Sequence, residues 1–245
     1  MTTRLELLPD VYLTAVQTSR FKTACFSLSF LRPLRQEEAG MNALLPSVLL
    51  RGSESAPSIR AIADRLDALC GASVGSLVRK KGEIQLTGLF ADGLEDRYAG
   101  EPVFSRLLEL TAELLLRPRT QGGVFVPQIV MQERQKLLDT IESTLDDKAE
   151  YCQTQLLRQM CRGEAYAVGR LGEAGPLAAV DEAALWAHYQ KVLASSRAEL
   201  FYLGSKPAQE VAALLRPMLK DLPRGACVPV STAPGPQPKA LRRTQ

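Results

Sequence analysis

The stretch Gly40-Met-Asn-Ala-Leu-Leu-Pro-Ser-Val-Leu-Leu-Arg-Gly52 decides the reading of this 245-residue chain. Leu44, Leu45, Val48 and Leu49 recur at helical spacing, so a helix is expected over 37–50, ended by Gly52. Before it lie two strand-like runs, 11–18 and 23–31, the second alternating Cys25/Ser27/Ser29 with Phe26/Leu28/Phe30. Residues 19–22 between them read as a hairpin connection. After it, Ser55-Ala-Pro57-Ser58 opens a helix over 59–69, with Ile62, Leu66 and Leu69 on one face.

Further along, 72–79 and 83–90 read as paired strands turning at Lys80-Lys-Gly82. A helix over 104–116 stops before Pro118 and is followed by a loose loop, 119–123. From 127 to about 161 the chain is helical, with a break expected near Asp146-Asp147. A Gly-rich loop (163–175), a helix (181–193), a strand (199–203) and a helix (207–220) complete the pattern. Strand pairs interleaved with helix pairs give an α+β fold, a mostly antiparallel sheet with helices on one face. Residues 1–222 form that unit. Pro223, Pro229, Pro234, Pro236 and Pro238 mark 223–245 as a Pro-rich tail or the start of a linker.

Composition narrows the classes. A net charge of +3, from 30 basic and 27 acidic residues spread along the chain, does not fit a nucleic-acid or membrane-surface protein. No apolar run is long enough for a membrane span, and residues 1–10 lack the pattern of a signal peptide. Five cysteines without a C-x-x-C pair read as buried free thiols in a reducing cytoplasm.

The order strand, strand, helix, Leu50-Arg-Gly52, Pro-capped helix, Gly71-Ala72, strand pair, helix, long helix resembles the N-terminal half of the insulinase/pitrilysin-type metallopeptidases, over about 5–222. Active members carry an inverted zinc motif, H-x-x-E-H. Counted back from Gly52, its histidines fall on Ala43 and Ser47 and its general-base glutamate on Pro46. Glu133-Arg134 matches a further family pair, which places the third ligand at Thr140. Alanine and proline offer no ligand, and hydroxyls are poor replacements for imidazole and carboxylate, so no peptidase zinc site and no cofactor are expected. His188 is the chain's single histidine, so no shift of register restores the motif.

Finer matches include Phe21-Lys-Thr23, Lys80-Lys-Gly82, Asp147-Lys148 with Tyr151, Met160-Cys-Arg-Gly-Glu-Ala-Tyr166, and Trp186 with Tyr189. They resemble the non-catalytic bacterial subfamily associated with aminopentanol modification of elongation factor P or with maturation of ribosomal peptides. The resemblance implies a heterodimer with an active zinc-bearing homologue, helping to hold a peptide or protein substrate. Full-length members have two similar halves, of which this chain holds one, so self-association of the lone half is expected. Competing readings are an active metallopeptidase with unusual ligands, a stand-alone peptide-binding module, and a truncated product with no role of its own.

Several residues carry a functional and a structural reading together. His188 beside Trp186 and Tyr189 reads as a packing or surface residue with no partner in sight, and Cys70 as core filler before Gly71. Cys152 and Cys161 lack an evident base. Asp139, Glu142, Asp146 and Asp147 read as a solvated helix face before a cation site. Gly163, Gly169, Gly172 and Gly175 form a surface loop without phosphate-loop chemistry. Arg117, Arg119, Arg158, Arg162 and Arg170 read as scattered charge against a basic wall for a carboxylate. Peptidases of this group hold substrates by strand addition, so Ile84, Leu86 and Gly88 are the candidate substrate-binding residues if 83–90 is an edge strand, which the sequence leaves open.

Overall fold

A computed structural model describes residues 1–144 and 146–230. Its centre is a six-stranded sheet in the order β1-β2-β8-β3-β5-β4. The strands are β1 (Thr2–Leu8), β2 (Val11–Gln17), β3 (Thr23–Pro33), β4 (Ser73–Lys81), β5 (Ile84–Leu94) and β8 (Arg197–Gly204). All neighbours pair antiparallel except β2 and β8, which run parallel. The mostly antiparallel α+β layer is thus as the residue pattern indicates.

Two local expectations are corrected. β2 and β3 are not a hairpin: β8 inserts between them and pairs with both, so residues 19–22 cross over a strand. The 119–123 loop is a tight hairpin, β6 (Thr120–Gln121) with β7 (Val124–Phe125), made possible by positive φ at Gly122 and Gly123. β1 had no clear signal; its residues alternate between exposed and half-buried until Leu7.

The helices are α1 (Gln36–Leu49), α2 (Ile59–Ala68), a short α3 (Asp96–Ala99), α4 (Val103–Leu116), α5 (Pro127–Ser143), α6 (Lys148–Met160), α7 (Ala174–Ala178), α8 (Glu182–Ser195) and α9 (Ala208–Leu219). Local chemistry explains their ends. Ser58 caps α2 by accepting from the Ala61 N–H, Asp181 caps α8 through the Ala184 N–H, and Asp147 accepts from the Ala149 and Glu150 N–H groups. That last cap breaks the 127–161 segment where two successive aspartates foretold it.

Between sheet and helices lies one apolar core, with Leu13, Phe26, Leu28, Leu44, Leu89, Leu107 and Leu108 fully buried. Phe104 of α4 meets Tyr202 of β8 at 5.3 Å, and Phe125, Trp186 and Tyr189 stack at 5.0–5.4 Å beside α8. On the opposite sheet face the alternation leaves Leu31, Ile84, Leu86 and Phe90 half-buried and Phe201 exposed. No helix among the described residues is long and apolar enough to cross a membrane.

Candidate functional site

Helix α1 lies across β5 and β4 and packs against α5, bringing together the elements that carry Ala43, Pro46, Ser47 and Thr140. Ala43 and Pro46 are buried, Ser47 is half-buried, and Thr140 is exposed with its hydroxyl donating to the Lys136 carbonyl at 2.8 Å. Glu133, a glutamate retained on α5, is buried in ion pairs with Arg51 of the Leu-Arg-Gly turn and with Lys136 at 3.0 Å. It serves as structural ballast between α5 and the end of α1. No group of three or more His, Cys, Asp or Glu side chains among the described residues is placed to hold a metal ion. The donor set does not fit zinc.

The space beneath α1 is filled by a hydrogen-bond network instead. Asn42, fully buried, donates through Nδ2 to Gln85 Oε1 at 2.8 Å. Its Oδ1 is therefore an acceptor, and His188 Nε2 donates to it at 2.7 Å. Gln85 passes the connection on, donating to the carbonyls of Ala39 (3.0 Å) and Arg170 (2.8 Å). His188 is thus buried with a partner, not the unpartnered residue its sequence context implied. Burial drives its pKa down to about 4 against the attraction of Glu38, with Arg32 and Lys191 pushing the same way as burial.

Pro46 lacks the N–H that would bond the Asn42 carbonyl, and its ring crowds that carbonyl. Thr87 of β5 donates its hydroxyl to the Asn42 carbonyl at 2.6 Å, satisfying the buried acceptor the proline abandons. Next to this lies an ion cluster in which Arg32 and Glu38 are buried and Lys191 is exposed. Arg32 bonds Glu38 at 2.6 Å, and Lys191 bonds the other Glu38 oxygen at 2.6 Å. Burial pushes the Glu38 pKa up, but the hydrogen bonds from Lys191 and Arg32 outweigh it and hold the group at about 2.

The candidate substrate residues need correction. Ile84, Leu86 and Gly88 lie on β5, which pairs with β3 on one side and β4 on the other, so none of them sits at an open edge. The hairpin was read properly, but its first strand is the outer one. β4 forms the edge beside α1, and none of its residues is buried. Gly88 instead permits a close crossing: a Cβ there would strike the Leu28 carbonyl oxygen and approach Ser29 Cα to 2.7 Å.

Among the other candidates, Cys70 is exposed with φ +58°, and Cys152 is exposed, so neither is the core filler or buried thiol expected. Asp139, Glu142, Asp146 and Asp147 are all exposed. Of the arginines, Arg158 and Arg170 line one cavity together, while Arg117 borders another and Arg119 bonds the Pro57 carbonyl at 2.6 Å. The Gly-rich loop packs at the start of α1, where a Cβ on Gly172 would sit 2.5 Å from the Gly40 nitrogen. Sequence reading missed Asn42, Gln85 and Thr87. The signal was present: Gln85 and Thr87 continue the row of the buried Leu89 and Ala91, and Asn42 sits among the buried Ala39, Leu45 and Leu49 of its helix.

No protein-family model matches the chain. A probable inactive metalloprotease, YmfF, of Bacillus subtilis (strain 168) is 31% identical over 198 residues, covering 80% of this chain and 46% of its own. The chain is a homologue of this probable inactive metalloprotease. Its fold recurs in a conserved protein from Enterococcus faecalis V583, with a TM-score of 0.85 and 26% identity over 95% of this chain and 56% of that one. A peptidase M16 inactive domain from Pseudomonas fluorescens matches with a TM-score of 0.75 and 17% identity, over 96% and 54% of the two chains. The chain therefore spans about half the length of the relatives it matches. The Bacillus subtilis and Pseudomonas fluorescens proteins are the two of these described as inactive.

Proposed function

We propose that this M16 homologue is a non-catalytic subunit that holds a polypeptide for an active, zinc-bearing homologue. The supporting observation is the pairing of a filled, ligand-free centre with an open edge strand beside it. Loss of the zinc ligands removes water activation. It leaves untouched the main-chain N–H and C=O groups along β4, which add a strand by hydrogen bonding whatever the side chains are. β4 rather than β5 is the strand we assign to this role. The half-exposed face carrying Leu31, Leu86, Phe90 and Phe201 is the surface we assign to a second half or a second copy, with the Pro-rich segment from 223 as the link to it. The setting we infer is the bacterial cytoplasm, in the modification of elongation factor P to which the subfamily resemblance points.

The test is a pull-down of the tagged chain from its own cells with mass spectrometry, beside a zinc assay on the purified chain. An H-x-x-E-H homologue recovered with a metal-free bait supports the subunit reading. Stoichiometric zinc with peptide hydrolysis by the bait alone refutes it.

A further inference from the structure

The 80 end of the edge strand opens into a cavity of about 220 Å³, walled by the C-terminal end of α5, by α6 and by residues 167–172. Its charged lining is Lys80, Arg158, Arg170 and Glu150, over an apolar floor that includes Ile141 and Leu157. Lys80 donates to the carbonyls of Tyr166 (2.5 Å) and Val168 (2.9 Å) and lies 4.1 Å from the Tyr166 ring centroid. None of these partners carries a negative charge, and an ammonium has three donors, so one remains. Burial pushes the Lys80 pKa down, as expected of a cation without a counter-ion. Among the described residues, the Arg158 and Arg170 guanidinium groups make no ion pair either. Three cations thus share a cavity with a single carboxylate.

We infer that this cavity takes a carboxylate of the bound polypeptide, either an acidic side chain or its C-terminus. The inference rests on strand addition at β4. On that strand Val74, Ser76, Val78 and Lys80 form the row facing the helix side, opposite the buried Ala91, Leu89, Thr87 and Gln85 of β5. In an added strand every second side chain points to that same side. One of them, near the 80 end, falls over the cavity mouth. There a carboxylate meets guanidinium groups suited to paired N–H···O bonds and completes the donor set of Lys80. A neutral side chain would leave those cations uncompensated. The pocket thereby selects acidic sequences.

The experiment uses blocked, fluorescein-labelled octapeptides of Val and Thr carrying Glu or Gln at one scanned position, and a matching set with a free C-terminal carboxylate. Anisotropy titrations are run at low and high salt on the wild-type chain and on Arg158→Gln and Arg170→Gln, with circular dichroism confirming that both variants fold. At one scanned position Glu should bind about tenfold more tightly than Gln, and each variant should erase most of the difference. Preference for the free C-terminus over internal Glu would assign the carboxylate to the chain end. Glu and Gln binding equally everywhere, with no effect of a free C-terminus, overturns the carboxylate pocket and leaves strand addition standing. Absence of all peptide binding removes strand addition itself. In that case titration with glutarate, followed by the Nε–H resonances of Arg158 and Arg170, decides the pocket: shifts at both keep it, and no shift overturns it.

Discussion

His188 on α8 donates to Asn42 on α1 across 2.7 Å, so the chain's sole histidine is bound to the helix where the family's zinc ligands would stand. The bond reaches a neighbouring side chain, not a metal. The site holds the ring neutral: burial disfavours its proton, as do the Arg32 and Lys191 cations, against the attraction of Glu38.

That preference makes stability depend on pH. The folded pKa of His188 is about 4 against 6.5 in the unfolded chain, so below pH 6.5 the unfolded state binds a proton that the folded state does not. Stability therefore falls as pH drops, by about 2 kcal/mol between pH 7.5 and 5. The Glu38 window lies lower, from about 4.5 down to about 2, and stays out of that range. Urea denaturation at the two pH values measures the loss. His188→Gln should flatten it, and an unchanged slope in that variant would remove His188 as its source.

Thr87 and Pro46 form a second testable pair. Thr87→Val leaves the buried Asn42 carbonyl without a donor and should cost about 1–3 kcal/mol. In a Pro46→Ala background the helix supplies its own N–H to that carbonyl, so the same change should cost much less. A double-mutant cycle by chemical denaturation reads the coupling. Additive effects would show that Thr87 does not compensate the proline.

Gly88→Ala tests the crossing of β3 and β5. The new Cβ meets backbone atoms of Leu28 and Ser29, which cannot move away without breaking the ladder. The variant should lose the cooperative unfolding transition seen in the wild type. Gly175→Ala, with open space around its Cβ, should retain that transition.

The half-exposed sheet face should make the chain self-associate. Phe201, 37% exposed on β8, is the residue to change. Sedimentation velocity should show reversible oligomers for the wild type and a shift towards monomer for Phe201→Lys. A monomeric wild type at high concentration would count against assigning this face to a partner.

Local periodicity and capping residues made most of the elements legible, including the break at Asp147. Strand order was not legible, because the arrival of β8 between β2 and β3 is a long-range event that no local spacing records. The same limit left the edge open: a hairpin's sequence does not say which of its arms has a further neighbour. At the centre, the residue types at Ala43, Pro46, Ser47 and Thr140 are legible, but the buried network beneath the helix is not, since Asn42, Gln85, Thr87 and His188 come from three elements far apart in the chain.

The hydroxyl of Thr87 also bears on which residues the helix accepts at position 46. A carbonyl has two lone pairs, so the Asn42 oxygen accepts Thr87 whether residue 46 has an N–H or not. Thr87 therefore suits either kind of residue at 46, whereas proline at 46 is well tolerated only beside such a hydroxyl.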